Sequence, residues 1–169
     1  MYSTAHLHLL INHFPIIVPP IALVFLAVAW LRRSEFAARA GLALLVAGAF
    51  FALPSYLTGD GAEDAVRRAP GVTRDIIHQH SSAALIGALA LGALGIVALW
   101  ALWRYREPLL LPRPLMVGAL VASAATSLLM AWVGLLGGAI RHTEVRADPP
   151  AAFGVGAPTT PDSGRQGPP

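Results

Sequence analysis

The sequence predicts an all-α membrane protein: an up-down bundle of four transmembrane helices. Two observations carry that prediction. Over 169 residues, 56% are hydrophobic and only 12% charged, with a mean hydropathy of +0.62, which is too apolar for an ordinary soluble domain. The excess is gathered into four uncharged stretches, residues 9–31, 40–57, 81–103 and 115–140. Each approaches the roughly 20 residues that a helix needs to cross about 30 Å of hydrocarbon. The chain therefore reads as a four-helix transmembrane domain over 1–146 followed by a tail over 147–169.

Helix 1 has no Lys or Arg before it, and its apolar run exceeds the usual signal-peptide core of about 7 to 15 residues, so it is expected to stay as a membrane span. Pro15, Pro19 and Pro20 lack an N–H and release carbonyls near residues 11, 15 and 16. A bend is expected there, tilting the histidine-bearing end toward the bundle axis. After helix 2, "TGDGAEDAVRRAPGVTRDIIHQH" reads as turn, short helix, turn, helix. Asp60 is expected to cap the short helix with Glu63 three residues on, Pro70 and Gly71 to end it, and Thr73 to cap helix 3 above the membrane. Helix 4 carries a stripe of small residues, Ala124, Ser127, Ala131, Gly134 and Gly138, leading to His142. Such a stripe serves close helix packing, or the approach of a flat ligand. From Asp148 onward the chain is rich in Pro and Gly, and the tail is expected to be disordered.

Charge addresses topology. The twelve basic residues are all arginine, and they lie in connections rather than along one face, which argues against nucleic-acid binding. Arg32, Arg33, Arg39, Arg104, Arg106 and Arg113 occupy two short connections. Arg67, Arg68, Arg74, Arg141 and Arg146 lie at the other face, together with Asp60, Glu63, Asp64 and Asp75. By the positive-inside rule the first set is expected in the cytoplasm, and both termini outside it. Trp30, Trp100 and Trp103 mark the proposed inner ends, and Tyr2 and Tyr56 the outer ones. The absence of cysteine excludes disulfides, thiolate metal sites and covalent c-type haem attachment.

All six histidines, His6, His8, His13, His78, His80 and His142, fall at one predicted membrane face. On one continuous helix, His8 and His13 differ by about 140° in direction and about 7.5 Å in height. His78 and His80 point about 200° apart, and His80 shares its stripe with Ala84, Gly87 and Leu91, which makes it the inward one.

These residues resemble a family of bacterial four-helix predicted integral membrane proteins of unknown function. The resemblance rests on His8 and His13 in "HLLINHFPI", on "TGDGAEDA", on His78 and His80, and on "GGAIRH" ending at His142. It spans roughly residues 5–146, with Leu9 standing where a proline often follows the first histidine. It implies four helices in a bacterial inner membrane, extracytoplasmic polar motifs, and relatives joined to c-type cytochrome modules. A c-type cytochrome or other redox protein is thus an implied partner, beside the lipid bilayer itself.

Three readings of function follow. In the first, two histidines hold a b-type haem for electron transfer or anchoring, since imidazole is an axial ligand of haem iron and a four-helix bundle presents facing ligands. His13 and His80 are the expected axial pair, with His8 and His142 beside them, and Arg141 or Arg74 pairing the propionates. The macrocycle would extend toward Gly59, Gly61, Gly137 and Gly138. In the second, His8, His13, His80, His142 and Asp60 bind zinc or copper directly, although no His-x-x-x-His pair is present. In the third, the histidines line an interface of a structural or partner-binding membrane subunit with no cofactor. No nucleophile motif accompanies them, which disfavours a hydrolase.

Overall fold

The computed structural model describes residues 4–67, 72–106 and 111–141. In chain order the helices are α1 (Thr4–Ile11), α2 (Phe14–Arg32), α3 (Glu35–Leu57), α4 (Gly59–Val66), α5 (Arg74–Arg104) and α6 (Arg113–Arg141). Four spans are long and apolar enough to cross a membrane: Thr4–Arg32, Glu35–Leu57, Arg74–Arg104 and Arg113–Ile140. The protein is the all-helical, four-span membrane bundle that its hydropathy predicts.

Local chemistry sets the helix ends. Pro15 lies in the first turn of α2 and has no N–H for the carbonyl of Ile11, so the helix breaks at Asn12–His13. The anticipated bend is a division of the first span into α1 and α2. Asn12 N–H closes α1 on the His8 carbonyl (2.9 Å), and Ile17 N–H opens α2 on the His13 carbonyl (2.9 Å). Arg33 ends α2 in the left-handed conformation (φ 51°) and Ser34 then caps α3, accepting from Ala37 N–H at 3.2 Å. That cap lets α3 begin at Glu35, ahead of its apolar run. Thr73 caps α5 as anticipated, accepting from Ile76 N–H at 3.4 Å.

The cap of α4 differs from expectation: Thr58 holds the N-cap position, and Asp60 sits in the first turn. There its carboxylate still complements the positive end of the helix dipole. Pro70, Gly71, Tyr2, His142, Arg146 and the tail lie outside the described residues.

The spans form a closed ring in which α2 packs on α3, α3 on α5, α5 on α6, and α6 back on α2. Helices α2 and α5 are thus diagonal, as are α3 and α6. The short helix α1 rests on α4 and on the end of α3. Within lipid the hydrophobic effect does not drive helices together, so contact depends on small residues that let backbones approach. A Cβ on Gly95 would strike the Ala49 side chain and come within 3.2 Å of the Leu45 carbonyl, and one on Gly41 would lie 2.8 Å from Leu26. Leu26, Leu42, Leu45 and Leu91 are fully buried by these approaches. The larger buried cluster, including Ala22, Leu26, Ala38, Leu42, Leu45, Leu94, Ala98 and Ala119, fills the end bearing the two short connections. Toward the histidine end a second cluster of Ala52, Leu91 and Met130 is buried, and Ile77, Ala83 and Val133 are buried beyond it.

Candidate functional site at the histidine end of the bundle

Ending α3 at Leu57 leaves its last carbonyls without the intrahelical partners they would have further in. Thr58 supplies one substitute: its hydroxyl donates to the Pro54 carbonyl at 2.8 Å, with the Ser55 carbonyl 3.1 Å away. His8 supplies another. Half-buried on α1, it sets its Nδ1 2.9 Å from the Ser55 carbonyl and 3.2 Å from Thr58 Oγ1. A carbonyl only accepts, so Nδ1 carries the proton and donates, and the neutral ring keeps its lone pair on Nε2. Ser55 is itself buried.

His80 reaches the same condition from another pair of helices. It is half-buried on α5, and its Nδ1 lies 3.2 Å from the Val133 carbonyl of α6. Again the acceptor is a backbone carbonyl, so the proton sits on Nδ1 and the lone pair on Nε2. Gly137 makes the approach possible, because a Cβ there would lie 3.0 Å from His80 Cε1. Gly87 and Leu91, further along the same stripe, are buried.

The remaining candidates are dispersed. His13 is the exposed N-cap residue of α2 and its side chain makes no cap hydrogen bond. His6 and His78 are exposed, as are Arg74 at the first position of α5 and Asp60 on α4. His142 and the side chain of Arg141 lie outside what is described. Among the described residues no group of three or more His, Cys, Asp or Glu gathers in a way that holds a metal ion. Of the glycines expected to give a macrocycle room, Gly59 and Gly138 face open space, while the room at Gly61 is taken by Thr4 and that at Gly137 by His80. The stripe of small residues on α6 serves packing in part, since Gly134 receives Ile16.

Three participants were not among the residues singled out by sequence. Ser55 and Val133 act through carbonyls, which leave no mark on a side-chain pattern. Asn12, at the helix break, has a buried Oδ1 with no hydrogen-bond partner among the described residues. Its only sequence signal is its place before "HFP".

Residues 4–145 match the family described as Predicted membrane protein (DUF2231). The chain belongs to that family. Searches of curated proteins and of solved structures return no match. Membership accords with the four apolar spans, and the match covers all six helices. This DUF2231 protein is an integral membrane protein in contact with the lipid bilayer.

Proposed function

We propose that this protein is a redox subunit of a bacterial inner membrane in which His8 and His80 ligate the iron of a b-type haem at the extracytoplasmic end of the bundle. The observation that carries the reading is the matched state of the two rings: each gives its Nδ1 proton to a backbone carbonyl and keeps Nε2 as a donor toward metal. Metal-bound histidines are held in this way, because the second hydrogen bond fixes both the tautomer and the ring plane. Low-spin haem iron takes two axial protein ligands where tetrahedral zinc needs three or four, and two half-buried rings share this tautomer. When bound, the iron supplies one-electron chemistry.

The chain's own residues then have separable tasks. Ser55 and Thr58 orient His8 from the end of α3, Val133 orients His80 from α6, and Gly137 keeps the second ring close to its helix. His8 and His80 lie near the first residues of their spans, so the site stands near the membrane surface, where an extracytoplasmic donor or acceptor such as a c-type cytochrome has access. His13, the ligand favoured by sequence position, is replaced by His8 in this reading.

The deciding experiment is the visible spectrum of detergent-purified protein produced with ample haem, together with elemental analysis. Low-spin bands in the reduced protein are expected, lost in His8→Ala and in His80→Ala and kept in His13→Ala. A protein that binds no haem and carries no stoichiometric metal would refute the reading and leave the histidines as interface residues. Stoichiometric zinc or copper without haem would transfer the pair to direct metal binding.

A further inference from the structure

The two helices of the first span are held very unequally. Helix α2 packs against α3 and α6, and its Ala22 and Leu26 are fully buried there. Helix α1 has no buried residue. It rests on α4, another eight-residue helix, and on the end of α3. Its Leu7, Leu9 and Leu10 are exposed, and lipid, as apolar as leucine itself, covers them without help from the bundle.

Two side-chain contacts fix α1 where it lies. His8 reaches the Ser55 carbonyl and Thr58 Oγ1, and Thr4 sits so close to Gly61 that a Cβ there would meet its hydroxyl. The backbone adds little, because the bonds on either side of the break close on their own helix: Asn12 N–H on His8, and Ile16 and Ile17 N–H on His13. The Ile11 carbonyl has no N–H to accept from at Pro15. One group is disfavoured by this position. Asn12 Oδ1, at the break itself, is buried without a hydrogen-bond partner among the described residues, and contact with water would relieve that cost.

We propose that α1 is a hinged arm that turns about Asn12–His13 and carries His8 onto and off the end of α3. In the docked position the His8 bonds hold the arm and the dry Asn12 oxygen opposes them. In the released position water reaches Asn12, the three leucines stay in lipid, and His8 is withdrawn from the bundle. Hinges are a few element-terminal residues that absorb a change in φ and ψ, and Asn12 and His13 are the two residues between α1 and α2. Local release is drawn from segments with few buried contacts, which describes α1 and not α2. The arm sets whether His8 is presented to the bundle, whatever the ring binds, so the inference goes beyond the haem reading and does not require it.

The chain has no cysteine, so introduced cysteines are the only thiols that take a spin label. The test is the distance distribution between labels at Leu7→Cys and Leu89→Cys, exposed on α1 and α5, in the full-length protein in lipid nanodiscs without added haem. A second pair, Val24→Cys with Leu89→Cys, follows α2 against α5 and reports whether the bundle itself is intact. The first pair is expected to show a main docked distance and a minor released one. His8→Ala should raise the ratio of released to docked arm about tenfold, through loss of the bonds to Ser55 and Thr58. Thr58→Val, which leaves His8 the Ser55 carbonyl, should raise it less. Adding Asn12→Leu to His8→Ala should lower the ratio again by about tenfold, because the docked arm then buries no orphaned oxygen. The α2–α5 pair should keep one distance throughout. A single α1–α5 distance that none of these changes alters overturns the proposal. So does a released fraction that Asn12→Leu increases, or a parallel broadening of both pairs, which would mean that the whole bundle loosens.

Discussion

At the scale of single residues, Thr58 shows how the end of one helix organises another's histidine. Its hydroxyl gives its proton to the Pro54 carbonyl, which leaves the oxygen to accept from His8 Nδ1. Thr58→Val keeps the shape and removes both bonds, leaving His8 with the Ser55 carbonyl alone. A loss of about 0.5–1.5 kcal/mol is expected for a part-buried group of this kind, read as a lower unfolding midpoint in detergent and largely restored by Thr58→Ser. A Val variant as stable as the parent would mean that Thr58 does not hold the junction. Gly137 acts by absence. Gly137→Val drives its side chain toward the His80 ring, 3.0 Å from the new Cβ, and displaces it from Val133, whereas a Cβ at Gly138 meets nothing within 4 Å. Destabilisation is therefore expected at Gly137 and not at its neighbour. Equal effects at the two positions would show that helix propensity, and not the ring, is what was measured.

Among elements, α5 offers an internal control for how close approach holds the bundle. Gly95 touches α3 and Gly92, almost one turn earlier, faces open space. Alanine is favoured over glycine within a helix by up to about 1 kcal/mol, so Gly92→Ala should raise the thermal midpoint or leave it unchanged. Gly95→Ala carries the same propensity gain but pushes α3 away from α5, and should lower the midpoint. If both changes stabilise, the α3–α5 contact is looser than the packing described.

The same elements mark what the sequence makes legible. The spans are legible because an uncharged apolar run of roughly twenty residues suits a hydrocarbon layer and little else. The Thr73 cap is legible because threonine before a helical pattern has a defined local partner. Which histidine of the first span is drawn into the bundle's hydrogen bonds is not. The angular relation of His8 to His13 presumes one continuous helix, and the break at Asn12–His13 removes that premise, turning His8 toward Ser55 and leaving His13 exposed. Asp60 is displaced as a cap for a related reason: Thr58 already closes α3, and one residue serves as the end of both helices. His80 differs because a single unbroken helix carries its stripe through Gly87 to Leu91, so the arithmetic of about 100° per residue applies throughout.

For the whole molecule, an even number of spans puts Thr4, Arg141, the short helix α4, His8 and His80 at one face, and the two short arginine-bearing connections at the other. Which face meets the cytoplasm is expected to follow the basic residues, since acidic ones contribute little to orientation. Six arginines stand in the two short connections against five near the helix ends at the other face, Arg165 of the tail being too far along the chain from helix 4 to count. The balance is decided by placement: the six lie directly beside membrane helices in loops short enough to be retained, and Arg67 stands at the far end of the short helix α4 from the span that precedes it. A reporter active only in the periplasm, fused after Asp148, is accordingly expected to work, and one active only in the cytoplasm to be silent there. Fusions placed in the connection after Arg33 should give the opposite pair of results. Neutralising Arg32, Arg33 and Arg39 together should erode that contrast, because five arginines would then face three. If the cytoplasmic reporter is the active one at Asp148, the molecule is inverted, and His8 and His80 then face the cytoplasm, out of reach of any extracytoplasmic redox partner.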